Sequence, residues 1–268
     1  MSGCRRFRTR PKKPFCPATR YGFLETDLAI IDSLAILGCG APCVEEFGRE
    51  RLLQRMDQLG ITHAIVASSL AISSDFEAGN AWLAEQIAGQ KRLLGYAVVN
   101  TNHPEEALQD MRRYLTKQQF RGLVMIEGRP DTPVSSADAE ELLNAYRRFA
   151  KPLLVFTPHR ECVYAAAEIA RKFELIKVVL VGMGGKDWRS AIAAARQHLN
   201  IYLQTTGEVS PSRIREGWAA VNGNRMMFGS GAPMTDPAVT LGMIREAGIP
   251  ERDLQKLLFS NAEKTFAG

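Results

Sequence analysis

The sequence predicts an α/β fold, a TIM (β/α)8 barrel with a basic N-terminal arm and an extra C-terminal helix, and three observations predict it. Eight short apolar runs recur at regular spacing. Stretches of helical periodicity separate them. The runs are nearly continuous in apolar residues, as parallel strands buried on both faces must be.

The strand candidates are 28–36 (LAIIDSLAI), 62–69 (THAIVASS), 93–100 (LLGYAVVN) and 121–127 (RGLVMIE), followed by 152–158 (PLLVFTP), 176–183 (IKVVLVGM), 200–207 (NIYLQTTG) and 225–231 (RMMFGSG). A helix over 45–60 follows the first. A helix over 104–119 follows the third, with Pro104, Glu105 and Glu106 in its first turn, where a missing N–H is harmless and acids suit the dipole. The helix over 136–150 has Ser136 as its expected N-cap, and the one over 187–198 starts at the acid Asp187 and ends at His198. The helix over 236–248 stops at Gly248, and a last helix over 250–266 closes the chain. An open doubly wound sheet is the competing fold, but the Gly38–Gly40 pair after the first strand lacks the third glycine and the downstream acid of a dinucleotide site.

With 268 residues, 46% of them apolar, the chain can build one large core. Its net charge of +5 is unevenly placed. Residues 1–20 hold Arg5, Arg6, Arg8, Arg10, Lys12, Lys13 and Arg20 and no acid, so the remainder carries 27 basic against 29 acidic residues. Residues 1–23 therefore read as a basic arm draped on the surface, or as a contact for an acidic partner or nucleic acid, and 24–268 as the barrel. The arm lacks the apolar stretch of a secretory signal, and no run is long enough to span a membrane. Five cysteines in a chain of this size point to a reducing, cytoplasmic setting rather than a disulfide framework.

The motifs at successive strand ends resemble the amidohydrolase-related family of metal-dependent hydrolases and decarboxylases, the branch that includes aminocarboxymuconate-semialdehyde decarboxylase. IIDSLAILG stands where that family has I-I-D-x-H-x-H-x-G, PLLVFT where it has a strand ending in H-T, and VGMGGKDW where it has G-H-x-G-G before a tryptophan. NIYLQTTG, FGSGAP and NAEKTF match its last three motifs, so the resemblance runs from about residue 29 to 267. The resemblance implies five metal ligands, and these positions hold Leu34, Ile36, Phe156, Gly182 and Gly231. None offers the imidazole, thiolate or carboxylate that zinc requires. The expectation is therefore a lost metal site, no cofactor, and no metal-dependent hydrolysis. Leu34 and Ile36, two apart on a strand, should share a face at the barrel mouth with Phe156, either as extra core or as the wall of a pocket for which Gly182 and Gly231 leave room.

Functional groups of such barrels sit at the C-terminal strand ends. The candidates there for acid–base work are His159, Glu127, Arg160 and Asp32, among loop residues such as Ser33, Thr157, Lys186, Gln204, Thr206, Glu208 and Ser230. Cys39, Cys43, His159 and Cys162 form a second-rank metal set, C-x3-C on one loop and H-x2-C on another. Two functions stay open. One is a barrel that binds or regulates, with a small molecule at its mouth and a protein partner or second copy beside it. The other is a metal-independent hydrolase, lactonase or decarboxylase acting on a small carboxylate.

Overall fold

The computed structural model describes residues 29–40 and 43–267, and in it the strands follow one another around a barrel. Strand β1 (Ile31–Gly40) turns back into an antiparallel partner, β2 (Cys43–Phe47). Seven further strands are parallel to β1: β3 (His63–Ser68), β4 (Leu93–Asn100), β5 (Phe120–Ile126), β6 (Leu153–Phe156), β7 (Val178–Val181), β8 (Ile201–Gln204) and β9 (Met226–Met227). The seam between last and first closes through Ser33 N–H to Phe228 O at 3.0 Å, Gly231 N–H to Leu34 O at 2.8 Å and Ile36 N–H to Ala232 O at 2.7 Å. This is the eight-stranded TIM barrel that the run spacing predicts.

Helices α1 (Arg49–Leu59), α2 (Ser69–Ser73), α3 (Phe76–Ile87), α4 (Pro104–Leu115), α5 (Glu140–Tyr146) and α6 (Arg160–Lys172) connect the first strands. Helices α7 (Trp188–Gln197), α8 (Pro211–Ala220), α9 (Pro237–Glu246), α10 (Glu251–Gln255) and α11 (Asn261–Phe266) complete the ring and close the chain. None is long and apolar enough to cross a membrane, among the described residues.

Alternation along the strands divides the core in two. Leu37, Val66, Val99, Met125, Val155 and Leu180 pack outward against the helices, while Ile65, Val98, Ile126, Leu154, Val179 and Met227 fill the interior. Each such fully buried Leu, Ile or Val contributes about 1.5–3 kcal/mol of transfer free energy.

Several boundaries differ from the sequence reading. Residues 45–47, expected to open a helix, extend β2 instead, and α1 starts after Gly48. The helix expected over 136–150 begins at Glu140, and Ser136 caps nothing: its hydroxyl accepts from Lys172 Nζ at 2.9 Å. Asp187 does stand at the N-cap of α7, but its carboxylate leaves that helix unbonded and accepts from Arg160 N–H, at the start of α6, at 3.2 Å. The last helix is broken by a π-helical turn over Lys256–Ser260. The basic arm, Cys4 and Cys16 lie outside the described residues, as do the side chains of Cys39 and Cys43.

Candidate functional site

Asp32 is the one carboxylate among the fully buried polar groups of the described residues. It is fully buried and belongs to the strand seam. One carboxylate oxygen accepts from Ser230 N–H at 2.8 Å and Leu34 N–H at 3.2 Å, and the other accepts from the Ser230 hydroxyl at 2.5 Å. Burial pushes its pKa up to about 6, against the three hydrogen bonds that favour the charged form. Through both oxygens Asp32 fastens β1 to the segment after β9.

Beside it a hydrogen-bonded chain crosses the barrel. Tyr96 OH donates to Ser33 O at 2.6 Å, Gln204 Nε2 donates to Ser33 Oγ at 2.7 Å, and Thr206 Oγ1 donates to Gln204 Oε1 at 2.9 Å. Ser33 Oγ in turn donates to Phe228 O at 2.5 Å. Tyr96, Ser33 and Gln204 are fully buried, and Thr206, half-buried, ends the chain at the mouth. Replacing Gln204 with leucine should leave the Thr206 hydroxyl without its acceptor and Ser33 Oγ with only its bond to Phe228 O, and cost about 1–2 kcal/mol of stability, read by urea denaturation. Tyr96 went unnoticed in the sequence. The signal was available, because a phenol in a strand buried on both faces must find a partner.

Leu34 is buried in the interior cluster, and the half-buried Ile36 and Phe156 pack against the same cluster. Gly182 is half-buried with φ +81°, and a Cβ there would meet Thr206 O at 3.4 Å. Gly231 is tighter: its φ is +70°, and a Cβ would stand 2.6 Å from Thr206 Cγ2.

The other candidates belong to the rim. His159 precedes α6, with Nδ1 2.8 Å from Glu161 Oε2 and Nε2 2.8 Å from Asp131 O. The Asp131 carbonyl, then Glu161, raise its pKa, so the cation is favoured and both ring nitrogens are engaged. As a general base it is badly placed. Arg160 Nη2 pairs with Asp187 at 3.2 Å, Glu127 accepts from Ser135 N–H at 2.7 Å, and Glu208 accepts from the N–H groups of Val209 and Ser210 at 2.9 and 2.8 Å. These residues shape loops. Cys162 Sγ lies 3.5 Å from His159 Nε2, and burial pushes the thiol up to about 11; among the described residues this pair belongs to no group of three that could hold an ion.

The architecture is a (β/α)8 barrel, a fold in which ligands ordinarily bind at the C-terminal strand ends. The chain belongs to the amidohydrolase family, whose model matches residues 46–267. No curated protein matches it. Similar solved structures include 5-carboxyvanillate decarboxylase from Sphingomonas paucimobilis, with a TM-score of 0.71 and 16% identity over 90% of this chain and 99% of that one. Dihydroxybenzoic acid decarboxylase from Polaromonas sp. JS666, with bound manganese, has a TM-score of 0.72 and 16% identity over 90% and 96%. An amidohydrolase from Burkholderia multivorans with bound zinc has a TM-score of 0.70 and 14% identity over 89% and 99%. At these identities the likeness establishes the fold.

The relatives correct one expectation. Reading the sequence as needing no cofactor is at odds with the manganese and zinc in these structures, which make a metal the family's expected companion. The residues present do not fit it at the family's own position. Leu34, Ile36, Phe156, Gly182 and Gly231 provide no donor side chain, Asp32 is committed to the seam, and no group of three His, Cys, Asp or Glu among the described residues could hold an ion.

Proposed function

We propose that the protein acts on a small aromatic carboxylate at the barrel mouth, and that the reaction is loss of CO2 rather than hydrolysis. The observation that carries this reading is the apolar wall of Ile36 and Phe156, half-exposed at the strand ends beside Gly182. Hydrolysis needs an activated water, hence a base aimed into the mouth, and His159 and Asp32 are both otherwise engaged. Decarboxylation needs no nucleophile. The bond from ring carbon to carboxylate breaks, its electron pair stays on the ring, and a proton from solvent replaces CO2 there. An apolar wall strips water from the carboxylate and so raises the ground state toward that step. The decarboxylase relatives, which act on 5-carboxyvanillate and dihydroxybenzoate, support the substrate class.

A second reading, binding without turnover, draws on the five substituted ligand positions. One pair of measurements separates the two. Thermal shift with 2,6-dihydroxybenzoate and 5-carboxyvanillate should show stabilisation, weakened at least about tenfold in apparent affinity by Phe156→Ala, which removes one to two apolar contacts' worth of free energy. Headspace CO2 should then accumulate in proportion to enzyme. Binding with no CO2 would establish the second reading, and no binding of either acid would overturn both.

A further inference from the structure

We infer that Asn100 and Thr206 give the mouth a donor pole and an acceptor pole, which together select an aromatic acid with its hydroxyl para to its carboxylate. The inference rests on the proposed function and narrows its substrate class. β4 and β8 are the third and seventh of the eight barrel strands, so their ends face one another across the mouth. Side chains two apart on a strand share a face. On β4, Tyr96 and Val98 belong to the interior cluster, and Asn100 continues that row at the strand end. Its register partner on β5, Ile126, belongs to the same cluster. On the opposite wall Thr206 continues the row of Tyr202 and Gln204.

Each residue has one half of its hydrogen-bonding capacity committed, and the halves differ. Asn100 Oδ1 accepts from Gly128 N–H at 2.9 Å and from Asn102 N–H at 3.1 Å, which fixes the orientation of the amide. Its Nδ2 has no partner among the described residues, and the side chain is only half-buried, so this pole donates. Thr206 is the reverse. Gln204 Nε2 donates to Ser33, which leaves Gln204 Oε1 as an acceptor, and the Thr206 hydroxyl gives that oxygen its only proton. The lone pairs of Thr206 Oγ1 make this pole an acceptor. A flat ligand that spans the two poles needs an acceptor at one end and a donor at the other. A carboxylate meets Asn100 Nδ2, and a phenolic O–H meets Thr206 Oγ1. Para placement puts the two groups at opposite ends of one ring, whereas a meta hydroxyl points at the side wall. A para hydroxyl also feeds electron density to the ring carbon that takes up the proton as CO2 leaves.

Calorimetry on the full chain with benzoate, 3-hydroxybenzoate and 4-hydroxybenzoate tests this. The para acid should bind about tenfold more tightly than the other two, the discrimination of one well-placed hydrogen bond. Thr206→Val should remove that preference and Thr206→Ser should keep it. Asn100→Asp retains an oxygen for Gly128 and Asn102 and turns the donor into a carboxylate oxygen. It should weaken 4-hydroxybenzoate about a hundredfold through like charge, while uncharged 4-hydroxybenzamide, a donor itself, keeps its wild-type affinity. Equal affinity for the three acids would overturn the inference, as would undiminished binding of 4-hydroxybenzoate by Asn100→Asp. Equal loss of acid and amide in that variant would overturn it too, because it would mark Asn100 as a support of the loop. No binding of the three acids would overturn the inference alone if 2,6-dihydroxybenzoate still stabilises the protein, and the proposed function with it if not.

Discussion

Asp32→Ala should lower the unfolding free energy by about 4 kcal/mol, one of the two largest effects expected of any single substitution here. The change leaves the Ser230 N–H, the Ser230 hydroxyl and the Leu34 N–H without their acceptor inside a fully buried seam. Each stranded donor costs about 1–3 kcal/mol, and partial relaxation makes the sum less than additive. Asp32→Asn keeps one acceptor oxygen and should cost less than half as much. The carboxyl also has a pH signature. Its folded pKa of about 6 lies above the ordinary 3.8, so the folded state holds this proton more tightly than the unfolded state does. The stabilisation from protonating it is complete below about pH 4 and is lost as pH rises through 6, a swing of about 3 kcal/mol. Guanidinium titrations at pH 4.5 and 7.5 should therefore show wild type gaining on Asp32→Asn at the lower pH. A difference independent of pH would mean that Asp32 is charged or neutral throughout that range.

The fold was legible in the sequence because its signal is repeated. Eight apolar runs each carry independent evidence, and a wrong boundary in one does not disturb the rest. What failed was local. Residues 45–47 have the charge and spacing of a first helical turn, yet pairing with β1 claims them, a tertiary preference that periodicity does not encode. Ser136 has cap chemistry, and a lysine thirty-six residues away takes its hydroxyl instead. Leu34 and Ile36 face the interior cluster while Ala35 and Leu37 face the helices, as the alternation of strand side chains requires. In contrast, the partners of Asp32 and His159 come from segments 198 and 28 residues away, and no pattern along the chain names them.

Gly231→Asp places a carboxylate where the resemblance puts one at the end of the last strand, and it should destabilise the protein by about 3 kcal/mol without creating a metal site. Two costs add. At φ +70° a side chain occupies the left-handed region, worth about 1–2 kcal/mol for a non-glycine residue. Its Cβ would also stand 2.6 Å from Thr206 Cγ2, and Thr206 is held by its hydrogen bond to Gln204, so the methyl cannot swing away without breaking the interior chain. Combining Gly231→Asp with Thr206→Ser removes the methyl while keeping the hydroxyl, and should recover about half of the loss in thermal denaturation. Full tolerance of the single change would show that this loop is softer than its packing implies. A single carboxylate at this position would in any case supply one donor where a metal needs three or four.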